Sequence, residues 1–138
     1  MNIGTVAMVF GMVFLFAGIS GFFPSSIPPG APPLIVEHGH GLALGLLPIN
    51  TLHNIVHLLF GVLGIAASRA VLLSARGYFQ IVAVAYGLLV VLGLMPATQT
   101  VFGLVPIWGN DVWFHALLAA PAAYFGFVAS PAPVARRV

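Results

Sequence analysis

The sequence predicts an all-α integral membrane protein of four transmembrane helices, built as two pseudo-repeated hairpins with both termini cytoplasmic. Three observations predict it. Of 138 residues, 61% are hydrophobic and 4% charged, where soluble domains carry about 25% charged residues. Four apolar stretches approach the roughly 20 residues that a helix needs to cross a bilayer core of about 30 Å. Finally, Gly45-Leu46-Leu47-Pro48-Ile49 returns 58 positions later as Gly103-Leu104-Val105-Pro106-Ile107.

Apart from histidines, the ionisable side chains are Glu37, Asp111, Arg69, Arg76, Arg136 and Arg137. A pI near 9.7 would suggest nucleic acid in another chain. Four arginines cannot form a stripe that tracks phosphates, so nucleic acid is excluded as a partner and the basic excess is a topology signal. There is no cysteine, which excludes disulfides and thiolate metal sites.

The first span covers residues 3–23 and holds no ionisable group. A signal peptide would have a basic start and a small-residue cleavage site. No basic residue precedes this stretch and Gly18 to Phe23 offers no such site, so it reads as a retained span. Pro24 ends it, and residues 24–49 form a long outer loop. Within that loop, Leu34 to Leu47 carries Glu37-His38-Gly39-His40 and then an apolar run too short to span, expected to lie in the interface or dip back. The second span covers 50–67, with Asn50 or Thr51 as the N-cap, whose oxygen accepts from a free N–H of the first turn. Arg69 and Arg76 flank a short loop. The third span, 77–95, is stopped by Pro96, and the fourth, 111–129, begins after Asn110 as N-cap. Pro121 removes one ladder bond there and should kink the helix. Residues 130–138 are a tail ending in Arg136 and Arg137.

Four spans put both termini and the Arg69–Arg76 loop on one side, with all four arginines. The positive-inside rule makes that side cytoplasmic. Trp108 and Trp113 bracket the outer end of the fourth span, where indoles prefer the headgroup level. Tyr78, Tyr86 and Tyr124 read as interface or packing residues.

The first and third spans also end alike, Gly21-Phe22-Phe23-Pro24 against Gly93-Leu94-Met95-Pro96, at an offset of 72. The repeat is therefore parallel, about an axis along the membrane normal. It sets His53 on Asp111, His57 on His115, Gly61 on Ala119 and Gly64 on Ala122. Residues four apart share a helix face, so His53 and His57 point together, as do Asp111 and His115. The small residues continue near those stripes and turn these faces into the bundle, because small side chains let helices approach closely in lipid. Ionisable groups at membrane depth face an interior or a wet cavity.

Three imidazoles and one carboxylate suit a divalent ion such as zinc, or iron or manganese where coordination positions stay open. On this reading His53, His57, Asp111 and His115 are the ligands, and Asn50 and Asn54 orient them. A second reading makes His57 and His115 the two axial ligands of a haem or chlorin. A third needs no bound group: the histidines hydrogen-bond Asp111, Asn54 or loop carbonyls and fix how the hairpins pack, with Asp111 favoured by the helix dipole. Glu37, His38 and His40 look like a solvated loop.

At these residues the chain resembles a bacterial family of small four-span membrane proteins catalogued as domain of unknown function 4383. The likeness rests on Asn50-x-x-His53-Asn54-x-x-His57 followed by Gly61, and on Asp111-x-x-x-His115. Phe102-Gly103-Leu104-Val105-Pro106 and Tyr124-Phe125-Gly126-Phe127 share in it. Some members carry histidine just before the aspartate, where this chain has Asn110. The resemblance implies the architecture and a multi-pass place in a bacterial plasma membrane, and leaves chemistry open. Function is then expected to be metal binding or proton handling rather than catalysis, and an enzyme of this design would be a metal-dependent hydrolase of lipid-borne substrates. The competing expectations are an accessory subunit packed in a homo-oligomer or a larger, energy-converting membrane complex, and a haem- or pigment-ligating subunit.

Overall fold

The computed structural model describes residues 2–129; the expected tail, with Arg136 and Arg137, lies outside the described residues. The helices are α1 (Ile3–Ser20), α2 (Thr51–Ser68), α3 (Ala75–Leu94) and α4 (Asn110–Ala123), the last running on into a π-helical turn, Tyr124–Val128. All four stretches are long and apolar enough to cross a membrane. The 18 residues of α1 rise about 27 Å. It stops at Ser20 rather than Phe23, because the Phe22 and Phe23 N–H groups turn to Ile19 and Ser20, three residues back instead of four, and Pro24 follows closely.

Two further details differ from expectation, the N-cap of α4 and the run after His40. The N-cap of α4 is Gly109, at φ 64° and ψ −129°, a conformation suited to glycine. Asn110 opens the helix and sends its amide to the Leu46 carbonyl at 3.4 Å. The apolar run after His40 is a strand pair, β1 (Gly41–Ala43) antiparallel to β2 (Leu47–Ile49), with Ser25 bridged to Leu42. Helix α4 continues past Pro121 into the π-helical turn, where the Ala129 N–H reaches the Tyr124 carbonyl.

Helix α1 packs along α2, and α3 along α4. The α1–α2 seam is made by glycines. A Cβ on Gly4, Gly11 or Gly18 would lie 2.8, 2.8 and 2.9 Å from the carbonyl oxygens of Ser68, Gly61 and Asn54. Such a stripe brings two backbones into direct contact without an oily core between them, which is how helices associate in lipid. The hairpins then meet through aromatic rings: Phe10 on Phe79 at 5.1 Å, Phe14 on Tyr86 at 5.1 Å and Phe60 on Tyr86 at 5.3 Å between centroids. Tyr78 donates its hydroxyl to the Phe60 carbonyl and is a packing residue, as expected.

At the end holding the chain's start, Arg76 closes the molecule. Its guanidinium donates to the carbonyls of Gly126, Ala129 and Phe127 at 3.0, 3.1 and 3.3 Å. These are the free carbonyls at the end of α4, where a cation is favoured. Charged hydrogen bonds contribute about 1.5–3 kcal/mol each, reduced here by partial exposure. Arg76→Ala is expected to destabilise the protein by about 2 kcal/mol, read as a lower thermal midpoint in detergent. Arg76→Lys should recover only part of this, since an ammonium lacks the planar fork.

At the other end the loops knit together. The N–H groups of Ile35 and Val36 both donate to the Gly103 carbonyl, at 2.8 and 3.1 Å. Each connection has a pair of adjacent left-handed residues ending on a glycine: Leu44 and Gly45 at φ 53° and 71°, and Phe102 and Gly103 at 57° and 87°. Ile49 and Ile107 are the buried undersides of this cover.

Candidate functional site

Asn50 sets the start of α2. Its Oδ1 accepts from the His53 N–H at 2.9 Å, while its Nδ2 donates to the Val36 and Leu104 carbonyls at 2.8 and 2.7 Å. One buried amide therefore caps the helix and ties down both loops at this end. Asn50→Ala would free two partly buried carbonyls and a buried helix N–H, and is expected to cost about 2 kcal/mol. Asn50→Asp should fail to rescue it, because a carboxylate caps but cannot donate; a thermal melt of both variants checks this.

One turn on, His53 and His57 face the bundle; on α4, Asp111 and His115 do the same. Asp111, His115, His53 and His57 are 0%, 0%, 2% and 2% exposed. The imidazole centroids are 4.5 Å apart for His53–His57, 5.7 Å for His53–His115 and 6.4 Å for His57–His115. One nitrogen from each of the three rings lies within 4.8 Å of the others. Asp111 Oδ2 is 3.4 Å from His115 Nε2 and 4.0 Å from His53 Nε2. The four residues that sequence spacing singled out thus occupy one place.

Their polar atoms are unmatched. Both ring nitrogens of His53, His57 and His115 and both carboxylate oxygens of Asp111 are buried without a hydrogen-bond partner. Burying a polar group without a partner costs several kcal/mol, and more than nine in ten buried groups avoid it. The Pro48 and Pro106 carbonyls come near the His53 ring without completing a hydrogen bond to it. Three neutral imidazoles offer nitrogen lone pairs and Asp111 an anionic oxygen, a donor set that suits a divalent ion with bonds of about 2.0–2.2 Å. Small side-chain rotations would draw the rings in to that distance.

Below the cluster, Phe14 lies 5.9 Å from His57, and Tyr86 lies 4.9 Å from His115 and stacks at 18° over His57. Tyr86 is therefore a wall of this site and more than a packing residue, and its buried hydroxyl is unpartnered too. Tyr124, 53% exposed, fits the membrane interface.

Asn50 is the N-cap of α2, as expected. Neither it nor Asn54 bonds an imidazole nitrogen. Asn50 is consumed by backbone groups, and Asn54 is wedged against Gly21, where a Cβ would collide with its amide. Glu37 and His38 are exposed, as a solvated loop should be. His38 Nδ1 pairs with Thr51 Oγ1 at 2.8 Å, and the His40 N–H turns back to Glu37. Partial burial lowers the His40 pKa below the ordinary histidine value, against an opposing pull from Glu37. His38, through its ring and its carbonyl, tethers the loop to Thr51 of α2.

A family model described as a domain of unknown function (DUF4383) matches residues 5–128, nearly the whole chain. No curated protein matches the chain, and no solved structure does.

Proposed function

This chain belongs to the DUF4383 family, and we propose that it is a membrane-embedded metal-binding protein. His53, His57 and His115 hold a divalent ion, zinc or else iron or manganese, with Asp111 as the oxygen donor. The observation that carries the reading is the convergence of six ring nitrogens and two carboxylate oxygens, all buried and all unpartnered. Fixing hairpin packing by hydrogen bonds alone would leave fewer of them idle. His53, Tyr86 and Phe14 crowd the space around His57 and His115, which favours an ion over a haem or chlorin ring. A bound ion supplies Lewis acidity and an activated water. Among the described residues no separate nucleophile or general base stands at the cluster, so binding, rather than hydrolysis, is the activity assigned. Elemental analysis of the detergent-purified protein tests it: about one ion per chain is expected on this reading, and metal-free protein after zinc, iron and manganese supplementation would refute it. Metal-free protein isolated at fixed ratio with other membrane subunits would point instead to an accessory role.

The site is proposed to arise from duplicated hairpins. Several contacts support the repeat. Phe14 against His57 is matched by Tyr86 against His115. Gly21 against Asn54 is matched by Gly93 against Val112. Ile49 and Ile107, again 58 apart, are both buried. We place both termini in the cytoplasm and the cluster toward the outer leaflet of the plasma membrane, on the strength of Arg69 and Arg76 at one end. The chain has no native cysteine, so single cysteines report topology cleanly. Leu72→Cys and Phe102→Cys, at positions 82% and 70% exposed, should react oppositely with an impermeant maleimide: Phe102→Cys in intact cells, Leu72→Cys only after lysis. The reverse pattern would invert the molecule.

A further inference from the structure

A cavity of about 120 Å³ runs between the outer half of α1, the β1–β2 pair and Phe114 of α4. Its walls are mostly hydrocarbon, including Ala17, Ala43, Leu47 and Ile49, and two polar side chains line it: Ser20, whose hydroxyl donates to the Ala17 carbonyl, and His57. His57 is 2% exposed and neither of its ring nitrogens has a partner. The mouth lies beside Val13, Phe16 and Leu44, which are 38%, 62% and 60% exposed on the lipid-facing side of the hairpin. From the water side the cluster is covered by the Asn50 tie and the paired loops. The approach to His57 that the structure offers is therefore sideways, from the bilayer.

We infer that this cavity admits a single-chain amphiphile from the bilayer and brings its oxygen-bearing head to His57. The volume is just below the roughly 150 Å³ that receives a benzene ring in an apolar protein cavity, enough for the head and first methylenes of one chain. The remaining chain lies along Val13 and Phe16 among the lipid tails. An apolar wall with a few hydrogen-bonding groups is the usual construction of a small-molecule site; the Ser20 hydroxyl is already engaged, so the head oxygen goes to His57 and completes either the imidazole or an ion bound to it. This extends the metal-binding reading by naming what the open side of the site receives, and the contact to His57 stands without the ion.

The test is photolabelling of the full chain in nanodiscs with dodecanol bearing a diazirine on its chain, mapped by peptide mass spectrometry. Labelling of the Val13–Ala17 and Ala43–Leu47 segments is expected to exceed that around Ile81 and Val84, an exposed face of α3, by about tenfold. Unlabelled dodecanol should compete and dodecane should not. Ala17→Phe, which fills the cavity, should abolish the excess. His57→Phe should abolish the preference for the alcohol while leaving the mouth intact. Even labelling of all lipid-facing segments would overturn the inference, and so would equal competition by dodecane that His57→Phe leaves unchanged. Metal content is measured on the same samples. Selective labelling of metal-free protein would sink the metal reading alone, and unselective labelling of metal-loaded protein would sink the cavity reading alone.

Discussion

His57→Ala and His115→Ala are each expected to strip the membrane-extracted protein of its ion. Merely disturbing a residue that orients a metal ligand costs about 10–100-fold in affinity, and removing a ligand from a set of three imidazoles should cost more. The two positions come from different hairpins, with ring centroids 6.4 Å apart, so loss at both is the signature of a shared site. His38→Ala and His40→Ala supply the control, because the His38 ring ties the loop to α2 and neither ring belongs to a metal-ligating cluster among the described residues. They should retain wild-type metal. His115→Gln keeps side-chain bulk in the core, so its metal loss with an unchanged melting profile would separate lost ligation from lost folding. Equal metal in the wild type and in both alanine variants would count against the site.

Gly11→Val should be the most damaging of the small-residue changes. The added Cβ would meet the Gly61 carbonyl oxygen at 2.8 Å and the Ile65 nitrogen at 2.9 Å. Both are backbone atoms of a helix and cannot swing aside as a flexible side chain would. Overpacking a tight contact costs about 1–3 kcal/mol and occasionally more, and a branched residue here belongs at the upper end. The shift would also move α1 away from α2, and with it Phe14 from beneath His57. Gly87→Val is the matched comparison on α3, where a Cβ meets nothing within 4 Å. A clear drop in thermal midpoint for Gly11→Val beside an unchanged Gly87→Val is the expected pair. Similar midpoints for both would show that the α1–α2 seam is not close-packed.

The spans were legible because burial in lipid leaves so little freedom: long runs without charge can only be helices that satisfy their own backbone. The cluster was legible for a related reason. His53 with His57, and Asp111 with His115, are each one helical turn apart, and polar groups that lipid cannot solvate must find each other. Less visible was what each neighbouring residue does. Asn50 and Asn54 sit equally close to the histidines in sequence, yet one caps a helix while the other presses on Gly21, a difference set by tertiary contacts. Tyr86 was hidden because an aromatic residue in an apolar helix carries no local mark of what it faces. The β1–β2 pair was hidden as well, since strands of three residues containing glycine or proline fall below any periodic signal. By contrast, the stripe of Gly4, Gly11 and Gly18 at seven-residue spacing was present to be read, and pairing it with Ser68, Gly61 and Asn54 needed only the antiparallel register of α1 on α2.

Zinc-edge X-ray absorption of the zinc-loaded protein interrogates the cluster most directly. The arrangement of His53, His57, His115 and Asp111 predicts about four nitrogen and oxygen neighbours at about 2.0–2.2 Å, with the outer scattering of imidazole rings, and that scattering should weaken in His57→Ala. A zinc ion surrounded only by oxygen, with a spectrum that His57→Ala leaves untouched, would contradict it.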